Sequence, residues 1–457
     1  MNTIKIIKYP DRLKWFEILR GDKTSGNGIF AGANSTSAST NSTISSINDA
    51  DSVRLTVTKI LGDVAARGDK AVAEYAAKFD GVKLLSGASR NAGRSAGIRV
   101  SSSEISAASR KVPPALKKAI ARAITNITKF HAAQKVKDIT VETSEGVVCN
   151  QISVPIEKVG LYIPGGTAPL FSTVIMLAVP ARLAGCKEIV MCTPATSPVV
   201  YYAAAKCGVT KIYRIGGAAA IGAMAFGTKT VPRVDKIFGP GNSYVTAAKQ
   251  IIGGSICAID MPAGPSEVMI LADDYARADF VCADFMSQLE HGADSQAVLI
   301  TTSAAMASAV ASEFEEQLKL LNRKSYILSS AAKSKIIICR KREEMWEMAN
   351  LYAPEHLIIC TRKYAEVCSH IVNAGSIFLG NYTPESAGDY ASGTNHTLPT
   401  GGWARGYNGV NLSSFTKRIT VQEITKAGLK NLSSAITKMA EAEGLDAHKN
   451  AVEIRLK

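Results

Sequence analysis

A regular alternation of short strands with helical segments begins at Gly160 and constrains the fold of this chain more than any other feature. Strands rich in β-branched residues are predicted at 188–192, 211–215, 235–238 and 255–259. Helices are predicted between them, at 174–184, 198–207, 218–226 and 244–252. Alternation at this spacing is typical of βα units, which form a parallel sheet with helices on both faces. The sequence therefore predicts an α/β fold.

A second set of strands follows, predicted at 268–271, 297–301, 335–339, 357–360 and 376–379. Because 457 residues exceed what one hydrophobic core usually organises, the two sets predict two Rossmann-like parallel-sheet domains. We assign residues 48–159 together with 267–400 to the first, discontinuous domain, and residues 160–266 to the second.

The segments that flank these domains have different patterns. Residues 1–47 are predicted to be a small N-terminal arm, and residues 24–47 within it are almost entirely Gly, Ser, Thr, Asn and Ala. Such a composition buries too little apolar surface to order itself, so we expect a mobile insertion. Apolar spacing predicts helices over 50–79 and 103–135, a hairpin over 139–156, and a C-terminal helical segment over 401–457 with a helix at 420–445.

Composition argues against several classes of protein. The apolar runs are far shorter than a membrane span and the N-terminus lacks the apolar region of a signal peptide, so we expect a cytoplasmic location. The formal charge is +14, but lysine and arginine are spread along the chain without interleaved aromatic residues, unlike a nucleic-acid surface. The nine cysteines include no Cys-x-x-Cys pair, so a bound metal would need nitrogen and oxygen ligands.

Two glycine-rich turns lie where predicted strands pass into helices, at residues 216–222 and 239–242. Backbone N–H groups at a helix start can bind a phosphate, and Asp260 is near the distance expected of a ribose-binding acid. Tyr244 occupies the third glycine position of the dinucleotide fingerprint, so the pattern is incomplete. The alternative is that both segments are tight turns that need glycine for a positive φ.

Gln288 and His291 stand three residues apart at the end of a predicted helix that stops at Gly292. This spacing places the two side chains one turn apart on the same side of the helix, so both can reach a single point. An imidazole nitrogen beside an amide oxygen suits zinc or another borderline divalent ion. The alternative is an exposed polar helix end.

Three more of the six histidines lie in polar neighbourhoods. His356 follows Glu355 immediately before a predicted strand, which makes these two residues a candidate acid/base pair. His396 lies in a long glycine-rich loop that also contains Asp389, a carboxylate in a segment too polar for a core. His448 lies near the C-terminus.

Seven motifs, in order along the chain, together resemble histidinol dehydrogenase. They are residues 160–166, 237–242, 260–267, 287–292, 353–357, 386–390 with 398–400, and 447–451. The resemblance implies a zinc- and NAD-dependent enzyme of histidine biosynthesis. Such an enzyme oxidises L-histidinol to L-histidine through L-histidinal, which is the last step of that pathway.

The resemblance also implies roles for individual residues. It makes Gln288, His291, Asp389 and His448 the ligands of one Zn²⁺ per subunit. Glu355 would activate water for attack on the aldehyde, and His356 would accept the hydroxyl proton during hydride transfer. The positions implied in binding of the substrate are Ser266, Gln288, His291, His356, Asp389, His396, Glu443 and His448.

The family resemblance further implies a homodimer whose C-terminal segment reaches into the active site of the partner subunit. His448 and Glu443 would then act in trans. Binding of NAD is implied at Tyr162, Ala219 and Asn242. Many members carry glutamine where this chain has Ala219, and one lost amide hydrogen bond costs about 0.5–1.5 kcal/mol, so we expect weaker NAD binding.

Two other functions remain as alternatives. One is a paralogue that oxidises another small alcohol twice, to a carboxylate, with the same chemistry. The other is a basic nucleic-acid-binding protein that uses the fold as a scaffold. It predicts a steeply salt-dependent affinity and no need for Glu355.

Overall fold

The computed structural model describes residues 4–20, 40–82, 84–85, 96–165, 170–262 and 264–457. Residues 24–39 of the predicted mobile insertion lie outside these ranges, whereas residues 40–47 belong to a helix that begins at Thr40. The first elements are β1 (Lys5–Lys8), a 3₁₀ turn (Arg12–Lys14), α1 (Trp15–Arg20), α2 (Thr40–Arg67), α3 (Asp69–Phe79), β2 (Leu84–Leu85), β3 (Ala96–Gly97), α4 (Ser102–Lys111) and α5 (Pro114–Ala132).

Local sequence signals set the limits of the α4–α5 pair. The Ser101 side chain accepts the N–H of Glu104, and the Glu104 carboxylate accepts the N–H of Ser101, so a capping box starts α4. Pro114 opens α5, because the first turn of a helix needs no hydrogen bond from its N–H groups. The helix predicted over 103–135 is therefore two helices with a proline boundary.

A hairpin and a five-stranded sheet follow, as predicted. The elements are β4 (Ile139–Ser144), β5 (Val147–Pro155), β6 (Lys158–Tyr162), α6 (Phe171–Ala184), β7 (Glu188–Cys192), α7 (Pro198–Cys207), β8 (Lys211–Tyr213), α8 (Gly217–Phe226), β9 (Lys236–Phe238), α9 (Ser243–Gly253) and β10 (Ala258–Ile259). The sheet order is β10-β9-β6-β7-β8, and all pairs are parallel.

The second predicted set of strands forms a six-stranded parallel sheet. Its elements are β11 (Glu267–Ala272), α10 (Ala278–Leu289), β12 (Gln296–Thr301), α11 (Ala304–Leu318), α12 (Lys324–Ala331), β13 (Lys335–Ile338), α13 (Arg342–Tyr352), β14 (His356–Cys360), α14 (Tyr364–Ser369), β15 (Ser376–Leu379) and α15 (Glu385–Tyr390). The order is β1-β13-β12-β11-β14-β15. Every residue of β11, β12 and β14 is buried, as expected of parallel strands covered on both faces.

The packing divides the chain differently from the assignment made on sequence. Helices α2 to α5 cover the five-stranded sheet, although residues 48–159 were assigned to the domain of the six-stranded sheet. Leu61 and Val64 of α2 come within 3.1 and 3.3 Å of the place where a side chain at Gly222 of α8 would begin, so glycine permits this close approach. The six-stranded sheet instead takes β1, and Leu19 of α1 joins its core.

The C-terminal segment contains a strand where the first turns of a helix over 420–445 were predicted. The last elements are two 3₁₀ turns (Trp403–Arg405 and Leu412–Phe415), β16 (Thr416–Ile424), α16 (Lys426–Ala442) and α17 (Asp446–Leu456). β16 pairs antiparallel with β5, so residues 416–424 form a three-stranded sheet with the hairpin. Among the described residues, no helix is both long and apolar enough to cross a bilayer.

Candidate active site

The amino ends of two neighbouring strands bring two carboxylates together. β11 lies beside β14, and Val268 pairs with His356 across them. The preceding residues, Glu267 and Glu355, are therefore neighbours, and the Glu267 N–H donates to Glu355 Oε2 at 2.9 Å. The strand order changes direction at this pair. Ligands usually lie at the carboxyl ends of such a switch point, whereas these side chains lie at its amino end.

His356 is buried and holds its imidazole among carboxylates. Nδ1 lies 3.4 Å from Glu385 Oε1 and 3.8 Å from Glu355 Oε2, and Nε2 lies 3.7 Å from Asp389 Oδ1. Neither ring nitrogen has a hydrogen-bond partner within the part of the chain that the structure describes. Buried polar atoms are rarely left unpaired, so this imidazole fits a site that a metal, substrate or water completes.

One short helix, α15, presents the two facing acids. Glu385 and Asp389 are four residues apart and therefore lie on the same face. Ligand atoms of His356, Glu385 and Asp389 all lie within 4.8 Å of one another. Gln288, at the end of α10, is fully buried, and its amide nitrogen, when oriented to donate, lies 3.2 Å from Glu385 Oε2. The structure thus brings Gln288, His356 and Asp389 into one cluster.

Burial sets the charge state of these carboxyl groups. It raises the pKa of Glu355 and the pKa of Glu385 well above their ordinary values, and neighbouring carboxylates add to both shifts. Burial also raises the pKa of Asp389 to about 6, although the His291 imidazole opposes this shift. On α10, burial raises the pKa of Asp284 to about 7.

The same burial favours neutral imidazoles. It lowers the pKa of His356 to about 3, and the neighbouring His396 and His291 rings lower it further. Burial also lowers the pKa of His396 to about 4. A neutral imidazole can accept a proton or bind a metal ion, so both rings are in the form that such chemistry needs.

The donor set fits a divalent cation. Four buried carboxylates lie in this region, and no lysine or arginine forms an ion pair with any of them among the described residues: Asp284, Glu355, Glu385 and Asp389. Buried negative charge without a counter-charge is costly, and a bound cation offsets that cost. Nitrogen and oxygen donors of this kind suit zinc and other borderline divalent ions.

His396 joins this cluster to the side of the five-stranded sheet. Its Nδ1 lies 2.9 Å from the carbonyl oxygen of Asp389, and its Nε2 lies 3.2 Å from Thr173 Oγ1 at the start of α6. The adjacent Asn395 donates to the Met176 carbonyl of the same helix at 2.6 Å. Because α6 follows the carboxyl end of β6, the cluster lies between the amino edge of one sheet and the carboxyl edge of the other.

Two of the predicted site residues lie beside the cluster. His291 follows the end of α10 and is exposed, yet it is close enough to Asp389 to influence the pKa of that carboxyl. Ser266 is half-buried and directly precedes Glu267, whose N–H binds the Glu355 carboxylate. Both residues border the space next to the buried acids.

His448 and Glu443 do not join the cluster within one chain. Both are exposed, and they lie in α17 and at the end of α16, which pack against each other. No hydrogen bond or ion pair within the described ranges connects either side chain to the buried acids. The structure of one chain therefore does not bring these two predicted residues to the cluster.

The glycine-rich turn at 216–222 is capped by side chains of the protein itself. The Gly216 N–H donates to Asp80 Oδ2 and the Gly217 N–H donates to the Tyr162 hydroxyl, each at 3.2 Å. A carboxylate at these amides opposes a phosphate there, because both are anions. Gly217 has a φ of 58°, which favours the alternative that this turn needs glycine for its backbone conformation.

The Asp260 carboxylate binds groups of the protein itself, which contradicts its predicted role in binding a ribose. Its Oδ2 accepts the Gly239 N–H at 2.8 Å, and its Oδ1 accepts the Met261 N–H at 2.7 Å. The Lys249 ammonium lies 2.5 Å from Oδ1, and both side chains of this pair are almost fully buried. The carboxylate therefore holds the turn at 239–242 in place.

The positions implied in NAD binding surround the switch point of the five-stranded sheet, between β6 and β9. Tyr162 and Ala219 are buried, and Ala219 packs in a hydrophobic cluster. Asn242 is exposed and caps α9, because its Oδ1 accepts the Val245 N–H at 3.1 Å. This carboxyl edge is the usual place for a dinucleotide, so the location fits.

Glu385 and Asp284 were not predicted from the sequence. Glu385 precedes Asp389 by four residues, and Asp284 precedes Gln288 by four residues, so each lies one helical turn from a predicted ligand. That spacing is the signal that could have found them. Arg20, which forms a buried ion pair with Glu267, had no comparable signal, because 247 residues separate the two.

Comparison with known proteins agrees with this geometry. The family model described as histidinol dehydrogenase matches residues 44–456. Histidinol dehydrogenase of Bacteroides fragilis is 51% identical over 99% of both chains, and that of Bacteroides thetaiotaomicron is 50% identical over the same shares. The crystal structure of histidinol dehydrogenase from Elizabethkingia anophelis is 45% identical, with a TM-score of 0.87 over 99% of this chain and 98% of that one. A match of this extent shows that the chain belongs to the histidinol dehydrogenase family.

Proposed function

We propose that this oxidoreductase converts L-histidinol to L-histidine through L-histidinal, with two hydride transfers to NAD. The observation that carries the proposal is the buried cluster of Gln288, His356, Glu385 and Asp389 beside Glu355, in a chain of this family. The overall change consumes one water and two NAD, and it yields the carboxylate, two NADH and three protons. The active site must therefore accept a proton from the alcohol and activate a water for the aldehyde.

The metal is proposed to be one Zn²⁺ held by Gln288, His291, Asp389 and the His448 of a second copy. Gln288 and Asp389 lie in the cluster, and the exposed His291 borders it. Bound zinc would take the imidazole and amino nitrogens of the substrate as further ligands and thereby orient the alcohol carbon. The buried carboxylates supply the negative charge that favours a cation at this place.

His356 is proposed as the base of the first step. Its ring is neutral because burial lowers its pKa, and its nitrogens have no hydrogen-bond partner among the described residues. As the hydride leaves the alcohol carbon for NAD, His356 takes the hydroxyl proton and the aldehyde forms. The carboxylates around the ring then stabilise the imidazolium, since Glu385 lies 3.4 Å and Asp389 lies 3.7 Å from its nitrogens.

Glu355 is proposed as the base of the second step. Burial raises its pKa, which makes it a stronger base than an exposed glutamate. The N–H of Glu267 holds Oε2 at 2.9 Å and so fixes the direction of the carboxylate. Glu355 would take a proton from the water that attacks the aldehyde, and the second hydride would then leave the hydrate carbon for NAD.

The proposed site is shared between two copies of the chain, and the exposure of His448 and Glu443 supports this proposal. Both are exposed on the C-terminal helices, and no hydrogen bond or ion pair among the described residues joins them to the cluster of their own chain. We propose that these helices reach the cluster of a second copy, where His448 completes the zinc ligands and Glu443 contacts the substrate.

A cytoplasmic location stays a prediction.

The test is the number of NADH formed per L-histidinol consumed, on protein whose zinc content has been measured. Two NADH per substrate with zinc bound would support the proposal, whereas one NADH per substrate, or no turnover with zinc bound, would reject it. The Glu355→Gln variant should release L-histidinal because the water step is slowed most. The exposed Glu315→Gln variant is the matched control and should behave like the wild type. Equal loss of both half-reactions in Glu355→Gln would reject the role of Glu355.

A further inference from the structure

The N-terminal arm inserts a charged side chain behind the candidate catalytic carboxylate. Arg20, the last residue of α1, is 9% exposed. Its Nη1 donates to Glu267 Oε2 at 2.9 Å, its Nη2 donates to the Tyr352 carbonyl, and its guanidinium lies 3.9 Å over the Tyr352 ring. A buried guanidinium with this many partners is held in one orientation.

Glu267 connects this guanidinium to the active site. Its Oε2 also accepts the Tyr352 hydroxyl at 3.0 Å, and its Oε1 accepts the Gly401 N–H at 3.0 Å. Its own backbone N–H is the donor that holds Glu355 Oε2. One buried carboxylate thus joins the arm, the end of α13, the loop at Gly401 and the first residue of β11.

Two buried glutamates, Glu267 and Glu355, lie next to each other at this point. Among the described residues, Glu267 forms an ion pair with Arg20, and no lysine or arginine forms one with Glu355. Glu267 is 3% exposed and Glu355 is 6% exposed. The Arg20–Glu267 ion pair has partners with side chains only 11% and 3% exposed, so solvent screens it little. Without Arg20, Glu267 would be a buried charge beside a second carboxyl, and it would have to move toward water or take up a proton.

We propose that Arg20 is a positioning residue for Glu355. By neutralising Glu267 it keeps the start of β11 in place, and the Glu267 N–H then holds the Glu355 carboxylate toward the water that it activates. This inference rests on the proposed function, because it assigns Arg20 to the aldehyde step. Arg20 lies before the segment that the family model matches, residues 44–456, so that match says nothing about it.

The aldehyde step should be affected more than the alcohol step. Loss of Arg20 displaces the N–H that holds Glu355 Oε2 at 2.9 Å, whereas Arg20 itself forms no hydrogen bond or ion pair with His356 among the described residues. A displacement of about 1 Å at a reacting group can cost roughly 10²-fold in rate. We therefore expect Arg20→Met to slow oxidation of L-histidinal by NAD by about that factor. Reduction of L-histidinal by NADH, which needs no activated water, should change far less.

The experiment compares these two rates in four proteins with equal zinc content. The wild type comes first, since failure to oxidise L-histidinol there rejects the proposed function itself. Leu19→Ala is the matched control, because Leu19 is a buried core residue of the same helix whose apolar side chain cannot form an ion pair or hydrogen bond with Glu267. It should lower thermal stability without separating the two rates.

The double variant Arg20→Met with Glu267→Gln gives the sharpest test. The amide removes the uncompensated charge and keeps an acceptor for Gly401, so L-histidinal oxidation should recover by at least several-fold over Arg20→Met. Recovery together with an intact NADH-driven reduction supports the positioning role. The proposal is overturned if Arg20→Met reduces both rates equally, as Leu19→Ala would, or if neutralising Glu267 restores nothing. Should Arg20→Met not fold, Arg20→Gln, which also removes the charge but keeps hydrogen-bond donors, provides the same comparison.

Discussion

His356 Nδ1 lies 3.4 Å from Glu385 Oε1, although the two residues come from different elements, β14 and α15. This contact closes a cluster of one imidazole and two carboxylates whose ligand atoms lie within 4.8 Å of one another. Neither His356 nitrogen has a hydrogen-bond partner within the described ranges, so the imidazole depends on the charge of the neighbouring acids and on what binds beside them. Glu385 is 1% exposed, so its charge acts on the buried cluster and solvent screens it little.

Replacing Glu385 with glutamine should weaken zinc binding. The amide keeps the shape of the side chain but cannot ionise, so it cannot supply the negative charge that a bound cation would stabilise next to Asp389 and Gln288. Supporting residues around a metal typically contribute 10- to 100-fold in affinity, so we expect a loss of roughly that size. Competition with a chelator measures it, and exposed Glu315→Gln serves as control. An unchanged affinity would contradict a role for Glu385 beside the metal.

Mixing two inactive variants should restore activity if the site is shared between copies. A Glu355→Gln chain paired with a His448→Ala chain forms one site with both defects and one site with neither. A Glu355→Gln chain paired with Gln288→Ala is the control, because both of these residues lie in the cluster of one chain. Each of its two sites then keeps a defect. Activity in the first heterodimer alone would support sharing, and inactivity of both would indicate a site built within one chain.

Asp284→Asn should stabilise the metal-free protein at high pH but not at low pH. Burial raises the pKa of Asp284 to about 7, whereas in the unfolded chain an aspartate ionises near 4. The unfolded state therefore gains more from ionisation, and wild-type stability falls as the pH rises from about 4 to 7. The amide cannot ionise, so the variant avoids this loss, which we expect to be roughly 2–4 kcal/mol at pH 8.

Urea unfolding of chelator-treated protein at pH 4.5 and at pH 8 measures this difference. The exposed Asp274→Asn variant is the control and should show no pH-dependent gain. If Asp284→Asn were equally stable relative to wild type at both pH values, the carboxyl would not carry the shifted pKa.

Ala219→Gln should tighten NAD binding. Restoring one amide hydrogen bond is worth about 0.5–1.5 kcal/mol, which corresponds to a Kd lower by roughly 2- to 13-fold. Ala219 is only 5% exposed and packs in the core, so the larger side chain must also be accommodated. Ala219→Leu adds similar bulk without an amide and should not improve binding. Fluorescence titration with NAD compares the three proteins, and equal affinities would show that this position does not contact the cofactor.

The sequence predicted the parallel sheets well because their strands are marked locally. The limits of β7, α7 and β15 agree with prediction residue by residue. Pro198 and Gly208 mark the ends of α7, and Gly375 and Gly380 flank β15. The strand at Thr416–Ile424 was missed, because its exposed alternating residues resemble a polar helix until β5 lies beside them. The assignment of residues 48–159 differs for a related reason: a helix does not reveal which sheet its apolar face will cover.

By itself the sequence determined the α/β architecture, the family and the predicted set of acid, amide and imidazole side chains. Only the tertiary structure decided which of them meet. Gln288, Glu385 and Asp389 lie in one cluster with His356 because the amino ends of β11 and β14 lie side by side, and the end of α10 and the short helix α15 lie at that edge. Arg20 reaches Glu267 because the arm adds β1 to the same sheet. Such contacts join residues far apart in the chain, so the local spacing of residues in the sequence does not predict them.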